Sequence, residues 1–368
     1  MKRIVSIFIT LIITIFSLNG CFGEKIDIGI TLAQTHIDRG EKDGDFLKAE
    51  AEKYGYKTVL QWADGDQAVQ NNQISGFLKQ KVKVIIIGNV NDGVDPVIVE
   101  AKRKGAIIIA YDRLIQGTNN YEYFITFNSY KAGELQAESI IKGLNLDAVS
   151  PASPKYITLF AGSHKDTNSY FLFQGAIDTL LPYIDSGALV VIGPLPLHYT
   201  EPEFGDIAVR DALPENAKRR MDAILKGAAS RITLDAILSP NDAISLAIIE
   251  ACMENSKYRE KLPVITGQDA QFSSMMSIKS GEQYSTIFNN TEKLAEAAIM
   301  LADQLIKGKS VNIPGVIIAD GDLSEIGYTR IGYVKTLLLE PILITRDNIT
   351  VPAEAGFYTD EQADQLRQ

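Results

Sequence analysis

Short apolar runs alternate with longer amphipathic stretches along most of this chain. From Lys25 onward the alternation recurs at intervals of roughly thirty residues, about the length of a strand plus a crossover helix. The run Ile-Ile-Ile-Ala at 107–110 is apolar throughout, as a strand buried on both faces of a parallel sheet would be. The alternation therefore predicts an α/β fold whose parallel strands are joined by helical crossovers.

The alternation is interrupted near the middle of the chain and then resumes. Residues 145–154 contain Asn, Asp, Ser and two prolines, a composition typical of a loop. Strands and helices follow again as far as residue 306, with helices predicted at 214–226, 242–254 and 291–306. We therefore predict a second α/β lobe. A break at 193–213 is long enough to be functional, but solvent exposure is an equal alternative there.

The first twenty residues have the features of an export signal. Met-Lys-Arg at 1–3 precedes an uncharged run at 4–18, which is too short to span a bilayer comfortably. The following Leu-Asn-Gly-Cys, residues 18–21, resembles a bacterial lipobox. This resemblance implies cleavage before Cys21 and lipidation of its sulfur, so we exclude residues 1–20 from the fold and expect a membrane-anchored protein. An ordinary signal peptide with a chance cysteine is the alternative.

Charge and cysteine content narrow the possible partners. The chain has 36 basic and 46 acidic side chains, a net charge of −10, which disfavours binding to nucleic acid phosphates. Besides Cys21, only Cys252 is present, within a helical pattern. We expect no disulfide framework and interpret Cys252 as a small buried hydrophobic residue.

Polar side chains with planar, two-pronged ends follow five of the predicted strands. In open α/β sheets, ligands bind outside the carboxyl ends of the strands. A carboxylate can accept hydrogen bonds from two sugar hydroxyls, a guanidinium can donate two, and an amide can do one of each, so the set suits a neutral polyol. The candidate ligand-binding residues are Arg39, Asp112, Arg113, Asp166, Asn168, Asn241 and Asp269.

The motifs of common catalytic and metal sites are missing from the sequence. The three histidines fall in no Gly-x-Ser-x-Gly or His-Glu-x-x-His setting, and no phosphate-binding Gly-x-x-x-x-Gly-Lys loop is present. We predict neither an enzyme nor a cofactor or metal site. A carboxylate pair such as Asp112 and Asp269 leaves a glycosidase as the remaining enzymatic alternative.

Seven short motifs, in order, resemble the bacterial D-xylose-binding proteins and their multiple-sugar-binding relatives. Together they extend from about Lys25 to Val351. The motifs are Asp-Arg at 38–39, Ile-Ala-Tyr-Asp-Arg at 109–113, Gly-Glu-Leu-Gln-Ala at 133–137, Leu-Pro-Glu-Asn-Ala at 213–217, Asn-Asp-Ala at 241–243, Gly-Gln-Asp-Ala at 267–270, and Pro-Ile-Leu-Ile-Thr-Arg-Asp-Asn-Ile at 341–349.

The resemblance implies a type I periplasmic binding protein fold, with two Rossmann-like lobes and a three-segment hinge. It assigns residues 25–130 and 286–308 to the first lobe and 131–285 and 309–350 to the second, leaving 351–368 as a polar tail. Arg39, Asp112 and Arg113 would then face the cleft from the first lobe. The other four candidates, Asp166, Asn168, Asn241 and Asp269, would face it from the second.

The resemblance also implies a function. We expect a monomer, anchored in the cell envelope, that closes on a xylose-like pentose or a hexose and delivers it to the permease of an ABC importer. A sugar sensor that docks on a histidine kinase or chemoreceptor is the first alternative. An extracytoplasmic carbohydrate-active enzyme is the second.

Three positions depart from the family pattern. Gly40 and Ala212 stand where the family usually has sugar-stacking tryptophans, and Asn289 replaces a lysine. The polar half of the family's pocket is thus present, whereas its stacking half is missing at the expected positions. His36 and Asn289 are additional possible ligand-binding residues. The candidates for a replacement aromatic or imidazole surface are His36, Phe171, Tyr199 and Phe204.

Overall fold

The computed structural model describes residues 25–33, 38–115, 118, 120–163, 166–196, 204–319 and 334–368. The strands are β1 Ile28–Leu32, β2 Thr58–Trp62, β3 Val84–Ile87, β4 Ile107–Tyr111, β5 Tyr123–Phe127, β6 Lys155–Leu159, β7 Leu189–Val191, β8 Ala236–Leu238, β9 Val264–Ile265, β10 Thr286–Phe288, β11 Val316–Ala319, β12 Lys335–Leu339 and β13 Ile342–Ile344. The helices are α1 Asp38–Lys53, α2 Gln67–Lys79, α3 Asp95–Arg103, α4 Ser129–Leu144, α5 Thr167–Asp185, α6 Pro214–Lys226, α7 Asp242–Glu254, α8 Phe272–Ser280, α9 Thr291–Ile306, α10 Val351–Glu354 and α11 Asp360–Arg367.

The first lobe is built on a seven-stranded sheet of order β11-β12-β5-β4-β3-β1-β2. All neighbouring strands are parallel except the antiparallel edge pair β11 and β12. Strand β3 is buried along its whole length, which explains its uninterrupted run of branched apolar residues. Because β1, β3 and β4 are parallel, their carboxyl ends lie together at one edge of the sheet.

Helices cover both faces of this sheet. On one face, α1 and α9 contribute Leu47, Leu294 and Leu301 to the core. On the other, α2 and α3 contribute Phe77 and Ile98. Within the described residues, no helix has both the length and the apolar character needed to cross a bilayer.

The second lobe contains a parallel four-stranded sheet of order β7-β6-β8-β9. The antiparallel pair β10 and β13 extends it, since the Ile287 N–H donates to the Gly267 carbonyl at 3.0 Å. Helices α4 and α5 pack on one face and α6 and α7 on the other. Cys252 lies on α7 in the second of these cores, which confirms its interpretation as a buried hydrophobic residue, and burial raises the pKa of its thiol to about 12.

The chain crosses between the lobes at Asn128, at 289–290 and at 340–341. The expected assignment of residues 309–350 to the second lobe is wrong for strands β11 and β12. Strand β12 pairs with β5, with Lys335 opposite Tyr123, and β11 pairs with β12, so both strands belong to the first sheet. The expected assignment of residues 286–308 to the first lobe is also wrong at its start, because β10, which begins at residue 286, pairs with β13 in the second lobe.

Residues 351–368 were expected to form a polar tail, but they are folded onto the second lobe. They fold into α10 and α11 and bury Ala363 and Leu366 against Met275 and Ile278 of α8. The Phe357 ring lies edge-on to Phe288, with centroids 5.0 Å apart. A few apolar residues at the right spacing therefore suffice to pack this predominantly polar segment onto the second lobe.

Candidate functional site

A cavity of about 970 Å³ lies where the carboxyl ends of strands from both lobes face each other. The first lobe lines it with the end of β1, the beginning of α1, Gly88 after β3, and residues 111–113 at the end of β4. The second lobe contributes residues 211–213, the start of α7 and residues 269–273. The crossing segment at 289–291 and the C-terminal residues Phe357, Tyr358 and Gln362 complete the wall.

Asp112 and Arg113 line the cavity directly after β4, as expected for polar residues that follow a strand of a parallel sheet. Asp112 has a φ of 63°, in the left-handed region that Asp tolerates better than most residues. Its backbone is held on both sides, since its N–H donates to the Ile125 carbonyl at 2.9 Å and its carbonyl accepts from Thr126 Oγ1 at 2.9 Å. The turn that presents both side chains is therefore fixed by the sheet.

Asp269 and Asn241 line the cavity from the second lobe. Asn241 caps α7, because its Oδ1 accepts from the Ile244 N–H at 3.0 Å. Asp269 and Ala270 both have positive φ, 98° and 48°, and the Asp269 N–H donates to the Ile287 carbonyl at 2.8 Å. Two successive non-glycine residues in this region store backbone strain at a site that faces the cavity.

A buried carboxylate, Asp242, supports this strained turn from behind. It is fully buried and accepts hydrogen bonds from Gln283 Nε2 at 3.0 Å, Thr286 Oγ1 at 2.8 Å and the Gln271 N–H at 2.8 Å. Burial raises the pKa of the Asp242 carboxyl to about 8, and the charge of Asp269 adds to the rise, against the lowering effect of the three hydrogen bonds. The sequence motif contained Asp242, but nothing in the sequence distinguished it from an ordinary first residue of a helix.

Asn289 also lines the cavity, and it is 8% exposed. Its Oδ1 is buried and has no hydrogen-bond partner among the described residues. An unpaired buried acceptor costs on the order of 1–3 kcal/mol, which a bound hydrogen-bond donor would recover. The structure thus places this possible ligand-binding residue in the cavity.

Two of the candidate residues do not line the cavity. Asp166 caps α5, accepting from the Asn168 N–H at 3.0 Å. Asn168 donates from Nδ2 to the Asp112 carbonyl oxygen at 3.1 Å, so it connects the lobes next to the cavity. For Arg39 only the backbone, in the first turn of α1, is described. His36 and Tyr199 lie outside the described residues.

The two described candidates for an aromatic surface, Phe171 and Phe204, do not line the cavity. Phe171 and Phe204 are buried in the lobe cores, and Phe204 stacks on Tyr170 with centroids 4.1 Å apart. Ala212 does line the cavity, so the missing indole leaves space there. Among the described residues, the wall contains four rings, two of them from the C-terminal segment: Tyr111, Phe272, Phe357 and Tyr358.

The C-terminal rings form one connected cluster. Phe357 and Tyr358 lie edge-on to each other at 5.4 Å, and Tyr358 lies edge-on to Phe272 at 5.7 Å. The Tyr358 hydroxyl donates to the Ala270 carbonyl, which ties the cluster to the strained turn. Lys42 Nζ of α1 lies 5.3 Å from the Phe357 ring centroid, a cation–π contact from the first lobe.

The two lobes and the cleft between them define a class of protein, the bilobal solute-binding proteins. The family described as periplasmic binding protein domain matches residues 28–310, and the chain belongs to this family. Its relatives include the multiple sugar-binding periplasmic receptor ChvE of Rhizobium radiobacter, 33% identical over 94% of this chain and 93% of the relative. Another is the D-xylose-binding periplasmic protein of Haemophilus influenzae, 30% identical over 98% of each chain.

Solved structures agree with the fold. An ABC transporter solute-binding protein from Clostridium phytofermentans, solved with bound β-D-glucose, has a TM-score of 0.78 and 30% identity, covering 91% of this chain and 99% of its own. These relatives are solute-binding proteins and not enzymes. The type I periplasmic binding protein fold and the resemblance to sugar-binding proteins are thereby confirmed.

Proposed function

We propose that this protein is an extracytoplasmic, lipid-anchored binding protein that captures a monosaccharide between its lobes for an ABC importer. The observation that carries the proposal is that Asp112 and Arg113 of one lobe and Asn241 and Asp269 of the other line a single cavity. The names of the relatives support a sugar as the ligand. A ligand that bridges both lobes stabilises the closed arrangement, which the importer can recognise.

Each of these polar side chains of the cavity has a donor or acceptor role in sugar binding. Asp112 and Asp269 accept hydrogen bonds from hydroxyls, and Arg113 donates. Asn241 uses its oxygen for the helix cap, which leaves its Nδ2 group to donate to the ligand. The buried Oδ1 of Asn289, which has no hydrogen-bond partner among the described residues, accepts from a sugar hydroxyl. Arg39, Asp166 and Asn168 remain candidates for contact with the ligand.

The apolar face of the sugar requires a different platform from the family's tryptophans. We propose that Phe357 supplies it, because this ring is at the cavity wall and is held by Phe288 and Tyr358. An aromatic surface contributes about 0.5–1.5 kcal/mol beyond the area that it buries. Because the platform comes from another side of the cavity, a hexose or a pentose other than xylose is as compatible with the proposal as xylose.

Thermal stability measured against a panel of sugars tests the proposal. A ligand that binds only the folded state adds RT ln(1 + [L]/Kd) to the free energy of unfolding and so raises the melting temperature. We expect at least one of xylose, glucose, galactose, arabinose and ribose to raise it at millimolar concentration, with mannitol as an acyclic control. A melting temperature unchanged by all five sugars would contradict a monosaccharide ligand.

Lipid anchoring at Cys21 has its own test. Labelled palmitate should be incorporated when the whole chain is produced in a bacterium, and Cys21→Ala should abolish the label. A labelled Cys21→Ala variant would show that the acyl chain is attached elsewhere.

A sensor that docks on a histidine kinase or chemoreceptor is the second candidate. It is favoured by one finding, that a relative covering almost the whole chain is named a receptor. Sugar-dependent stimulation of the ATPase of a reconstituted importer supports delivery. Sugar-dependent binding to a kinase ectodomain without such stimulation supports the sensor.

A further inference from the structure

The edge of the first sheet opposite the cavity is strongly basic. Backbone hydrogen bonds arrange the segments that precede the strands in a row: Asp27 N–H donates to the Lys57 carbonyl at 2.8 Å, Lys83 N–H to the Asp27 carbonyl at 2.9 Å, and Ile107 N–H to the Lys83 carbonyl at 2.9 Å. Strands β1 to β4 are parallel, so Lys25, which precedes β1, lies at the edge opposite Asp112 and Arg113.

The charge of this edge differs from that of the rest of the chain. The segments 25–27, 55–57, 80–83 and 103–106 contain six basic residues and one acidic residue, in a chain with a net charge of −10. The corresponding segments of the second lobe, 150–154, 186–188, 232–235 and 260–263, contain one basic and two acidic residues. The positive charge is thus concentrated in the segments that precede β1 to β4. The basic residues are Lys25, Lys57, Lys81, Lys83, Arg103 and Lys104.

A cavity of about 620 Å³ opens on this edge. Lys81, Lys83 and Lys104 line it together with apolar residues that include Leu78 and Ile306. Lys83 pairs with Asp27 at 3.4 Å and Lys104 with Glu100 at 3.2 Å, but the lysine side chains of both pairs are more than 40% exposed, so these pairs are weak. The combination of several cations with an apolar floor suits a phosphate headgroup that carries an acyl glycerol.

We propose that this basic edge docks on the anionic phospholipid headgroups of the membrane that holds the protein. The inference rests on the proposed anchoring at Cys21. The four peptide links from Cys21 to Lys25 span at most about 14 Å, so an acylated Cys21 would keep the basic edge close to the bilayer surface. This distance is within about two Debye lengths at physiological salt, where surface charge is still felt.

Docking in this way gives the cavity a definite orientation. The strands of the first sheet separate the basic edge from Asp112 and Arg113, so the sugar cleft faces away from the headgroups while the edge is docked. In the membrane-docked state, the cleft therefore faces the solution and can take up solutes from it. Each lysine near an anionic surface contributes about fivefold in affinity, which makes docking reversible and dependent on salt.

The experiment uses residues 21–368 with Cys21→Ser, so that no acyl chain contributes, in flotation with vesicles. We compare vesicles of phosphatidylcholine with vesicles that contain about one third phosphatidylglycerol. The test variant combines Lys81→Asn, Lys83→Gln and Lys104→Gln, where Asn suits the φ of 56° at residue 81. The control variant, Lys226→Gln with Arg259→Gln and Lys261→Gln, makes the same change in charge at exposed positions of the second lobe.

We expect binding to the phosphatidylglycerol vesicles alone, a loss of at least about tenfold in the test variant, and little change in the control. Equal loss in both variants, or no binding of the parent chain, would overturn the proposal. Sugar binding should be unchanged in the test variant, so a failure of the sugar proposal and a failure of this one are distinguishable.

Discussion

Asn168 of the second lobe donates a hydrogen bond from Nδ2 to the carbonyl oxygen of Asp112 in the first lobe, at 3.1 Å. The same oxygen accepts from Thr126 Oγ1 at 2.9 Å, within the first lobe. One bond therefore depends on how the lobes are arranged, and the other does not. Removing one donor or the other therefore distinguishes an effect on closure of the cleft from an effect on stability of the fold.

Asn168→Ala is expected to weaken closure. Loss of a neutral hydrogen bond that exists only between the lobes should lower sugar affinity by about two- to tenfold, and small-angle scattering should show a larger ligand-free radius of gyration. Thr126→Val is the matched control, since it removes the bond to the same oxygen from within one lobe. A radius of gyration that increases equally in both variants would assign the effect to loss of stability.

Asp112→Asn is expected to weaken sugar binding by more than about tenfold, because the neutral amide accepts fewer and weaker hydrogen bonds from hydroxyls. Asn tolerates the φ of 63° at this position, whereas Asp112→Ala would add backbone strain to the loss of the carboxylate. Asp185→Asn, an exposed residue at the end of α5, is the control for charge. Affinity within twofold of the parent would remove Asp112 from the site.

Phe357→Leu keeps an apolar side chain but removes the ring. We expect affinity to fall by about two- to tenfold, since the stacking contribution of an aromatic surface is lost. Lys42→Gln removes the cation that lies 5.3 Å from the same ring and leaves the ring in place. If Lys42→Gln costs as much affinity as Phe357→Leu, the ring acts through Lys42 and not through the sugar.

The fold was largely predictable from the sequence, because buried parallel strands and amphipathic helices have distinct periodicities. The helices predicted at 214–226, 242–254 and 291–306 have those bounds in the structure. The pairing of β12 with β5 was not predictable, since an apolar run does not specify which sheet edge it joins. The presence of Asp112 and Asp269 in the cavity was also predictable, because each follows a predicted strand and ligands bind at the carboxyl ends of parallel strands.

Other parts of the site depend on tertiary packing alone. Asp166 and Asn168 follow a strand just as Asp112 does, yet one caps α5 and the other bonds across the lobes. Phe357 and Tyr358 lie in a segment whose polar composition gave no sign of packing, and only the fold brings them to the cavity. The supporting role of Asp242 was not predicted, because its burial, which raises its pKa, depends on tertiary packing and not on the local sequence.

Gly267→Ala is expected to lower the melting temperature by several degrees. A Cβ at this position would lie 2.1 Å from Asp242 Oδ1 and 2.5 Å from Gln283 Nε2, so the hydrogen-bonded cluster behind the turn must shift. Gly76→Ala is the matched control, because it lies within α2 with no atom within 4 Å of the added methyl group, and we expect it to be neutral or stabilising. Equal melting temperatures for the two variants would contradict the packing at Gly267.

Stability should depend on pH through Asp242. Its pKa is raised from 3.8 to about 8 in the folded state, so between these values the folded protein binds a proton that the unfolded chain has released. The free energy of unfolding is therefore expected to fall as pH rises from about 4 to 8, and Asp242→Asn should flatten this part of the profile. Denaturant unfolding across this range provides the measurement, and a profile identical to the parent's in Asp242→Asn would contradict the assignment.

Isothermal titration calorimetry with xylose, glucose, galactose, arabinose and ribose shows whether the cleft between the lobes holds a monosaccharide. Saturable heat with one stoichiometric site is expected for at least one sugar. Asp112→Asn in one lobe and Asp269→Asn in the other are each expected to weaken binding of that same sugar by more than about tenfold. No heat from any of the five sugars, or binding that neither substitution affects, would contradict a monosaccharide held between the two lobes.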